Sequence, residues 1–453
     1  MKFDHLHPAD QICQIMKRIY DRKETTVSGG NLSIRDSEGH IWVSPSGGDK
    51  GNLQHDDVLE ILPDGTVIGT KPASLETPIH QAILAARQDI KAVLHAHSPA
   101  AVALSIVHET PQTMLYPALA NIAGKSALAV YGAPGSDTLA ANVAKVFKEG
   151  CDVAILENHG LFIGSTRSMK HAFEVFDAID FGIRTQLNTP VLCGHEPSLI
   201  REAQLKEYNE RAQVPVMGTF APDGVGNEEQ LQREMMAMLC KRACQKEIFS
   251  ATGGVISARV DGNSFLITPQ GLDHAYADPD DMVLIQNGKC EEGKVPQFYA
   301  ELFQKIYDKN PGIGGIVAAN PPYAMCYAVS ETDYDITLIP ESYNILMSTK
   351  KFPFGSTFTK QDEIAEYLAV NRPVAIVENE CYIIASPAVF KSFDRFEITE
   401  YSAKSVNMTI RGQKKIVNIT EEQMKELSVR VKDRQKKLAE AERSRMESKI
   451  HKK

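Results

Sequence analysis

The chain has no run approaching the roughly 18 consecutive apolar residues of a membrane-spanning helix, and its opening MKFDHLHPADQ lacks the apolar core of a secretory signal. A cytoplasmic protein without a membrane partner is expected. Excess positive charge is missing as well. Forty-nine Lys+Arg stand against 58 Asp+Glu, a formal net charge of -9, so the basic footprint of a nucleic-acid binder is absent and a small-molecule partner is expected instead. Cysteine is sparse: eight are scattered from Cys13 to Cys381, without the density of a disulfide framework, and they read as reduced thiols. Cys240 and Cys244 fall one helical turn apart, but no second Cys/His pair follows at zinc-finger spacing, so they read as packing residues. What remains is ordinary globular material. At 43% hydrophobic and 24% charged over 453 residues, the chain can bury two or three cores.

The sequence repeats. SGGNLSIR (28–35) returns as TGGVISAR (252–259), so that Gly29, Gly30, Ser33 and Arg35 recur as Gly253, Gly254, Ser257 and Arg259, an offset of 224. Pro45 and Gly47 return as Pro269 and Gly271 at the same offset, and VAILEN (153–158) returns as VAIVEN (374–379) at 221, a drift that loop deletions explain. The seam between the units is expected in the Gly/Pro-rich VPVMGTFAPDGVGN. This divides the chain into 1–212, a linker 213–227, a second unit 228–420, and a tail 421–453.

Each unit should open with an amphipathic helix, because Ile12, Ile15, Met16 and Ile19 recur at helical spacing, as do Met236, Leu239, Cys240 and Ala243. Short β-rich runs broken by turn residues follow (NLSIR, HIWVS, VLEIL, TVIG), then a helical TPIHQAILAARQ. AVLHAH and VAILEN read as buried strands among helices near 99–106, 136–149 and 168–186, a mixed α/β layer protein. The tail carries 11 Lys/Arg and 7 Asp/Glu with a broken apolar stripe, which fits a solvated helix.

His95 and His97 stand two apart in AVLHAHSPA, and the period of a strand points both imidazoles to one face. Alone, an H-x-H pair in a chain with 13 histidines is weak. His159 in ENHGLFIG and Glu76 in KPASLETPIH strengthen it, since three imidazoles and a carboxylate suit a divalent transition metal such as Zn²⁺.

Taken in order, SGGNLSIR, SPSGG, PASLETPIH, HAHSPA and ENHG resemble the class II aldolase/adducin family, among whose members are L-fuculose-phosphate aldolases. The resemblance covers residues 8–190, and the repeat extends it to about 227–420. It implies two tandem α/β/α domains, each a mainly antiparallel sheet flanked by helices, followed by the helical tail. It further implies that His95, His97 and His159 hold one Zn²⁺ or similar ion per chain, with Glu76 approaching the ion and serving as acid/base. Gly30, Asn31, Ser46, Gly47 and Ser74 would form the phosphate pocket, backbone N–H groups in glycine turns making an anion nest. Leu75 departs from the pattern, because many members carry a second serine directly before the glutamate. Tyr116 aligns with a tyrosine that reaches the site from a neighbouring subunit and protonates the leaving oxyanion; a homo-oligomer follows, with catalytic units abutting one another. Lys50 reads as solvated.

The implied activity is a zinc-dependent aldehyde-lyase of carbohydrate metabolism, an aldolase that cleaves or forms a C–C bond in a phosphorylated ketose or related sugar acid. The cation stabilises the enediolate left beside the carbonyl. Dehydratases, decarboxylases and 4-epimerases of sugar phosphates share the scaffold, although epimerases usually carry Asp at the position of Glu76. A non-enzymatic adducin-like interaction protein is the alternative from another class. Carried across the repeat, His95, His97, His159, Glu76 and Tyr116 become Ala318, Asn320, Glu380, Tyr299 and Ile339, so the second unit should hold no metal.

Overall fold

The computed structural model describes residues 3–430. The first unit builds an eight-stranded sheet from β1 (Asn31–Arg35), β2 (Ile41–Val43), β3 (Leu59–Ile61), β4 (Val67–Ile68), β5 (Ala92–Ala96), β6 (Ser126–Ala129), β7 (Val153–Leu156) and β8 (Gly160–Ser165). Their spatial order is β4-β3-β2-β1-β5-β8-β7-β6. The second unit repeats this plan with β10 (Val255–Arg259), β11 (Ser264–Ile267), β12 (Val283–Gln286), β13 (Lys289–Glu291), β14 (Gly315–Ala319), β15 (Thr349–Phe352), β16 (Val374–Val377) and β17 (Cys381–Ser386), and it gains an edge strand, β9 (Thr219–Phe220). Pairing is antiparallel except for β6 with β7, β15 with β16 and β13 with β9.

Strand register bears out the repeat. Asn31 faces His95 across β1 and β5, and Val255 faces Ala318 across β10 and β14. Helix starts do the same, since Glu76 and Tyr299 each cap the helix behind their sheet (Thr77–Ala86 and Ala300–Lys309), and Tyr116 and Ile339 each precede a proline-started helix. Expected helices at 99–106, 136–149 and 168–186 are found as Pro99–Ile106, Asp137–Lys148 and Met169–Cys193. The segment expected to be a plain linker differs: Thr219 and Phe220 pair with Cys290 and Glu291 and extend the second sheet. Edge pairing satisfies backbone groups that composition alone does not reveal. The tail is helical over 421–430, and the rest of it lies outside the described residues.

Each sheet is packed on both faces. One face of the first sheet carries Thr77–Ala86 and Asp137–Lys148, with Ile83, Val143, Phe147 and Phe162 between them. Its other face, and the matching face of the second sheet, share a single apolar core to which Ile15, Phe173 and Ile183 contribute from one unit and Met236, Leu239 and Phe396 from the other. Cys240 and Cys244 lie in that core, and all eight cysteines are free. Ion pairs tie the units together: buried Arg18 grips Asp273 through two 2.7 Å hydrogen bonds, and half-buried Arg184 meets Glu247 at 2.9 Å. Within the chain, therefore, the first unit abuts the second. No helix among the described residues is long and apolar enough to cross a membrane.

Candidate metal centre

Four side chains, His95 from β5 and Glu76, His97 and His159 from three loops, converge at one end of the first sheet. β5 ends at Ala96, so His97 lies just past the strand and not within it. The turn at Ser98, whose hydroxyl caps the helix Pro99–Ile106, still leaves the two rings edge-to-face with centroids 4.6 Å apart. His159 sits in the β7–β8 turn behind Asn158, which adopts a left-handed φ of 57°. Gly160 follows with φ 159°, where a Cβ would meet the Ala96 carbonyl oxygen at 2.7 Å. Glu76 caps its helix and points inward. One ligand atom each from Glu76, His95, His97 and His159 fall within 4.8 Å of one another.

The donor set fits a metal. Nδ1 of His95 is 2.8 Å from the Leu161 carbonyl oxygen, which accepts only, so Nδ1 carries the proton and the Nε2 lone pair faces the cluster. That Nε2 lies 2.8 Å from His97 Nε2 and 3.3 Å from Glu76 Oε2, while His159 Nε2 lies 3.3 Å from Glu76 Oε1. Lone pairs aimed at a common point are what a divalent ion uses. Burial holds His97 down to about 3 and lowers His159, so both rings are kept neutral, the form that ligates. For Glu76 burial acts upward, but the nearby His95 and the hydrogen bond from Asn31 outweigh it and hold the carboxyl below its usual range.

Behind Glu76 runs a buried chain of hydrogen bonds whose direction follows from one fact: an ionised carboxylate only accepts. Asn31 must therefore present its amide Nδ2, 2.6 Å from Glu76 Oε2. Its Oδ1 then accepts from His80 Nε2, and His80 Nδ1 accepts from the Ser33 hydroxyl at 2.7 Å. Burial drives His80 to about 3, which keeps it in this neutral tautomer. Sequence reasoning did not single out His80. Its signal was available, one helical turn beyond Glu76 in LETPIH.

The anion-pocket residues surround this chain unevenly. Gly30 (φ 72°) could not carry a Cβ, which would lie 2.7 Å from the His95 carbonyl oxygen, and Gly47 has φ 64°. Ser74 accepts from the Glu76 backbone N–H at 3.2 Å and from Asn31 Nδ2 at 3.3 Å, and the Ser46 backbone N–H donates to the Pro72 carbonyl at 2.9 Å. The amide of Asn31 is thus engaged with Glu76 and Ser74. Leu75 is 74% exposed.

One residue, Lys50, is not where the sequence put it, and a second, Tyr116, lies away from its own chain's cluster. Lys50 is buried, only 2% exposed, with Nζ 2.8 Å from the Pro45 carbonyl oxygen. Burial lowers it to about 8 while the charge of Glu76 acts to raise it, so it faces the site and not the solvent. Tyr116 is 3% exposed and lies at the seam, lining a small cavity with Ser250, Gly253 and Asn320 of the second unit. Burial pushes its hydroxyl above the ordinary tyrosine range. It does not join the metal cluster, and the seam that encloses it is the chain's own. At the second unit's counterpart positions Ala318, Asn320, Glu380 and Tyr299 offer one carboxylate and no imidazole.

Comparison with known proteins agrees with this architecture. The family described as the Class II Aldolase and Adducin N-terminal domain matches residues 10–187 and again residues 234–406. An L-fuculose phosphate aldolase of Methanocaldococcus jannaschii is 36% identical over 151 residues, covering 33% of this chain and 80% of that protein. A methylthioribulose-1-phosphate dehydratase of Gluconobacter oxydans is 43% identical over 97 residues, 21% of this chain and 47% of its own length. Among solved structures, an L-fuculose 1-phosphate aldolase is 26% identical and covers 45% of this chain and 95% of its own, with a TM-score of 0.41. Two matched regions on two like-folded units make this chain a member of the class II aldolase/adducin family, present twice in tandem.

Proposed function

We propose that the first unit is a zinc-dependent aldolase acting on a small phosphorylated ketose or related sugar acid, with His95, His97, His159 and Glu76 as the metal set and Glu76 as acid/base. The carrying observation is Glu76 itself, bracketed at 3.3 Å by His95 and His159 and oriented from behind by Asn31. A divalent ion held by these residues supplies Lewis-acid stabilisation of oxyanion charge beside a carbonyl. Glu76 moves the proton at the adjacent carbon: it takes it in the condensation direction and returns it after cleavage. Asn31, fixed by His80 and Ser33, keeps the Glu76 carboxylate aimed while its charge changes. The glycine turns at Gly30 and Gly47, with Ser46 and Ser74, receive the phosphate, and buried Lys50 contributes positive charge on that side.

Dehydration of a methylthioribulose-type phosphate is the second reading, favoured by the 43% identity over 97 residues to such a dehydratase. There Glu76 would take the proton from the carbon beside the carbonyl, and the hydroxyl on the next carbon would leave with a proton as water, the C–C bond staying intact. The test assays metal-loaded wild type and Glu76→Gln in parallel against L-fuculose 1-phosphate and methylthioribulose 1-phosphate. Glu76-dependent release of an aldehyde supports the aldolase, and Glu76-dependent loss of water supports the dehydratase. Metal-free protein after gentle purification, or equal activity in both proteins, refutes the enzyme reading.

A further inference from the structure

The second unit has lost the metal ligands but kept a cavity where they would stand. It measures about 580 Å³, within the range of small-molecule sites. Gly253, Gly254 and Gly271 close one side, and the first unit closes another with Ala118, Asn121 and the helix Glu202–Arg211. The enclosure therefore exists only because the two units are joined.

Glu380, at the position of His159, lines this cavity and is 2% exposed. Its Oε1 is saturated by Thr357, by Tyr208 at 3.2 Å and by Tyr299 at 3.4 Å. Oε2 has no hydrogen-bond partner among the described residues. A buried carboxyl oxygen left unmatched is destabilising, and a ligand hydroxyl that reaches it would relieve this. Burial raises this carboxyl to about 7, against the hydrogen bonds from Thr357 and Tyr208 and the nearby Gly355 amide.

Charge decides what fits. No Lys, Arg or His lines the cavity among the described residues. The counterpart of Lys50 is His274, which burial holds down to about 4 and hence neutral. A phosphate dianion entering here would meet a buried carboxyl with no cation to offset it. The remaining polar groups are uncharged and include the amides of Gln270, Gln297 and Asn320, each able to donate and accept, with the rings of Phe298 and Tyr299, whose centroids are 4.3 Å apart, also lining the cavity. Amides, one carboxyl and an aromatic face suit vicinal hydroxyls and the C–H face of a sugar ring.

The geometry points to the second unit as a metal-free binding site for a neutral polyhydroxylated small molecule, an unphosphorylated sugar or polyol, which donates a hydroxyl to Glu380 and is walled in by the first unit. The inference is independent of the reaction assigned to the first unit.

The test uses the full chain and five probes, D-ribose, D-xylose, D-glucose, ribitol and myo-inositol, by saturation-transfer NMR, with D-ribose 5-phosphate and putrescine as charged controls. At least one neutral probe should bind with Kd below about 10 mM. Binding should survive His95→Ala and weaken at least about tenfold in Glu380→Gln and in Gln297→Ala. Gln297→Ala leaves the Glu380 hydrogen bonds intact and keeps the test valid if Glu380→Gln unfolds. Binding of no neutral probe, binding only of the phosphate or the diamine, or loss of binding in His95→Ala with retention in Glu380→Gln each overturns the proposal.

Discussion

In the first unit a helix-capping carboxylate, Glu76, lies 3.3 Å from the turn histidine His159; in the second unit the helix-capping Tyr299 lies 3.4 Å from the turn residue Glu380. The backbone brings the same two positions together in both halves. What differs is the chemistry placed on them: a cluster of imidazoles and a carboxylate in one case, and a carboxyl whose Oε1 is held by hydroxyls in the other. A scaffold held by strand pairing and apolar packing tolerates replacement of its few polar residues, so one half can keep the chemistry while the other turns to support or binding.

The sharpest way to break this contrast is to remove a ligand. His95→Ala should abolish stoichiometric metal, read by elemental analysis, and lower turnover by more than about 10⁴-fold, while histidines placed at Ala318, Asn320 and Glu380 create no activity because Tyr299 cannot act as Glu76 does. Metal retained by His95→Ala, or turnover in the second unit, would erase the distinction. Next in size is Glu76→Gln, expected to keep the metal and lose about 10²–10⁴-fold in kcat. Asn31→Ala should cost about 10–100-fold in metal affinity or kcat through loss of the support behind Glu76; an unchanged enzyme would mean that the hydrogen-bond chain to His80 is only structural.

Stability against pH probes the second unit. Glu380 has a folded-state value of about 7, above the ordinary 4.5. The folded chain therefore holds a proton that the unfolded chain has released, and this contribution to stability falls as pH rises from 4.5 to 7, by roughly 1.4 kcal/mol per pH unit, and stays constant above. Urea unfolding of Glu380→Gln should lack that slope, and an identical slope in both proteins would contradict the assignment. The smallest effect is expected from Tyr116→Phe. Enclosed in the chain's own seam, Tyr116 faces Gly253 and Asn320, and its loss should change kcat less than about tenfold. A larger drop would show that a second copy delivers this tyrosine to the metal centre.

Much of this was legible in the order of residues. The repeat and the helices around each sheet followed from apolar periodicity and recurring glycine turns, local signals that tertiary packing had no reason to override. The four members of the cluster were legible because metal chemistry restricts residue types so tightly. His80 was passed over because a neutral buried histidine leaves no trace in a sequence apart from its spacing. Lys50 was misplaced because a lysine in a glycine-rich loop reads as solvent-facing, and only the fold shows its side chain buried against the Pro45 carbonyl.

Sequence alone determined that this chain holds two like units, one with the side chains of a metal centre and one without, because ligand identity is a property of side-chain chemistry. The tertiary structure decided which unit faces which. Apolar faces of both units merge into one core, and buried pairs such as Arg18–Asp273 lock it. Tyr116 and the second unit's cavity owe their surroundings to that seam, which joins residues hundreds of positions apart through packing that no local pattern encodes.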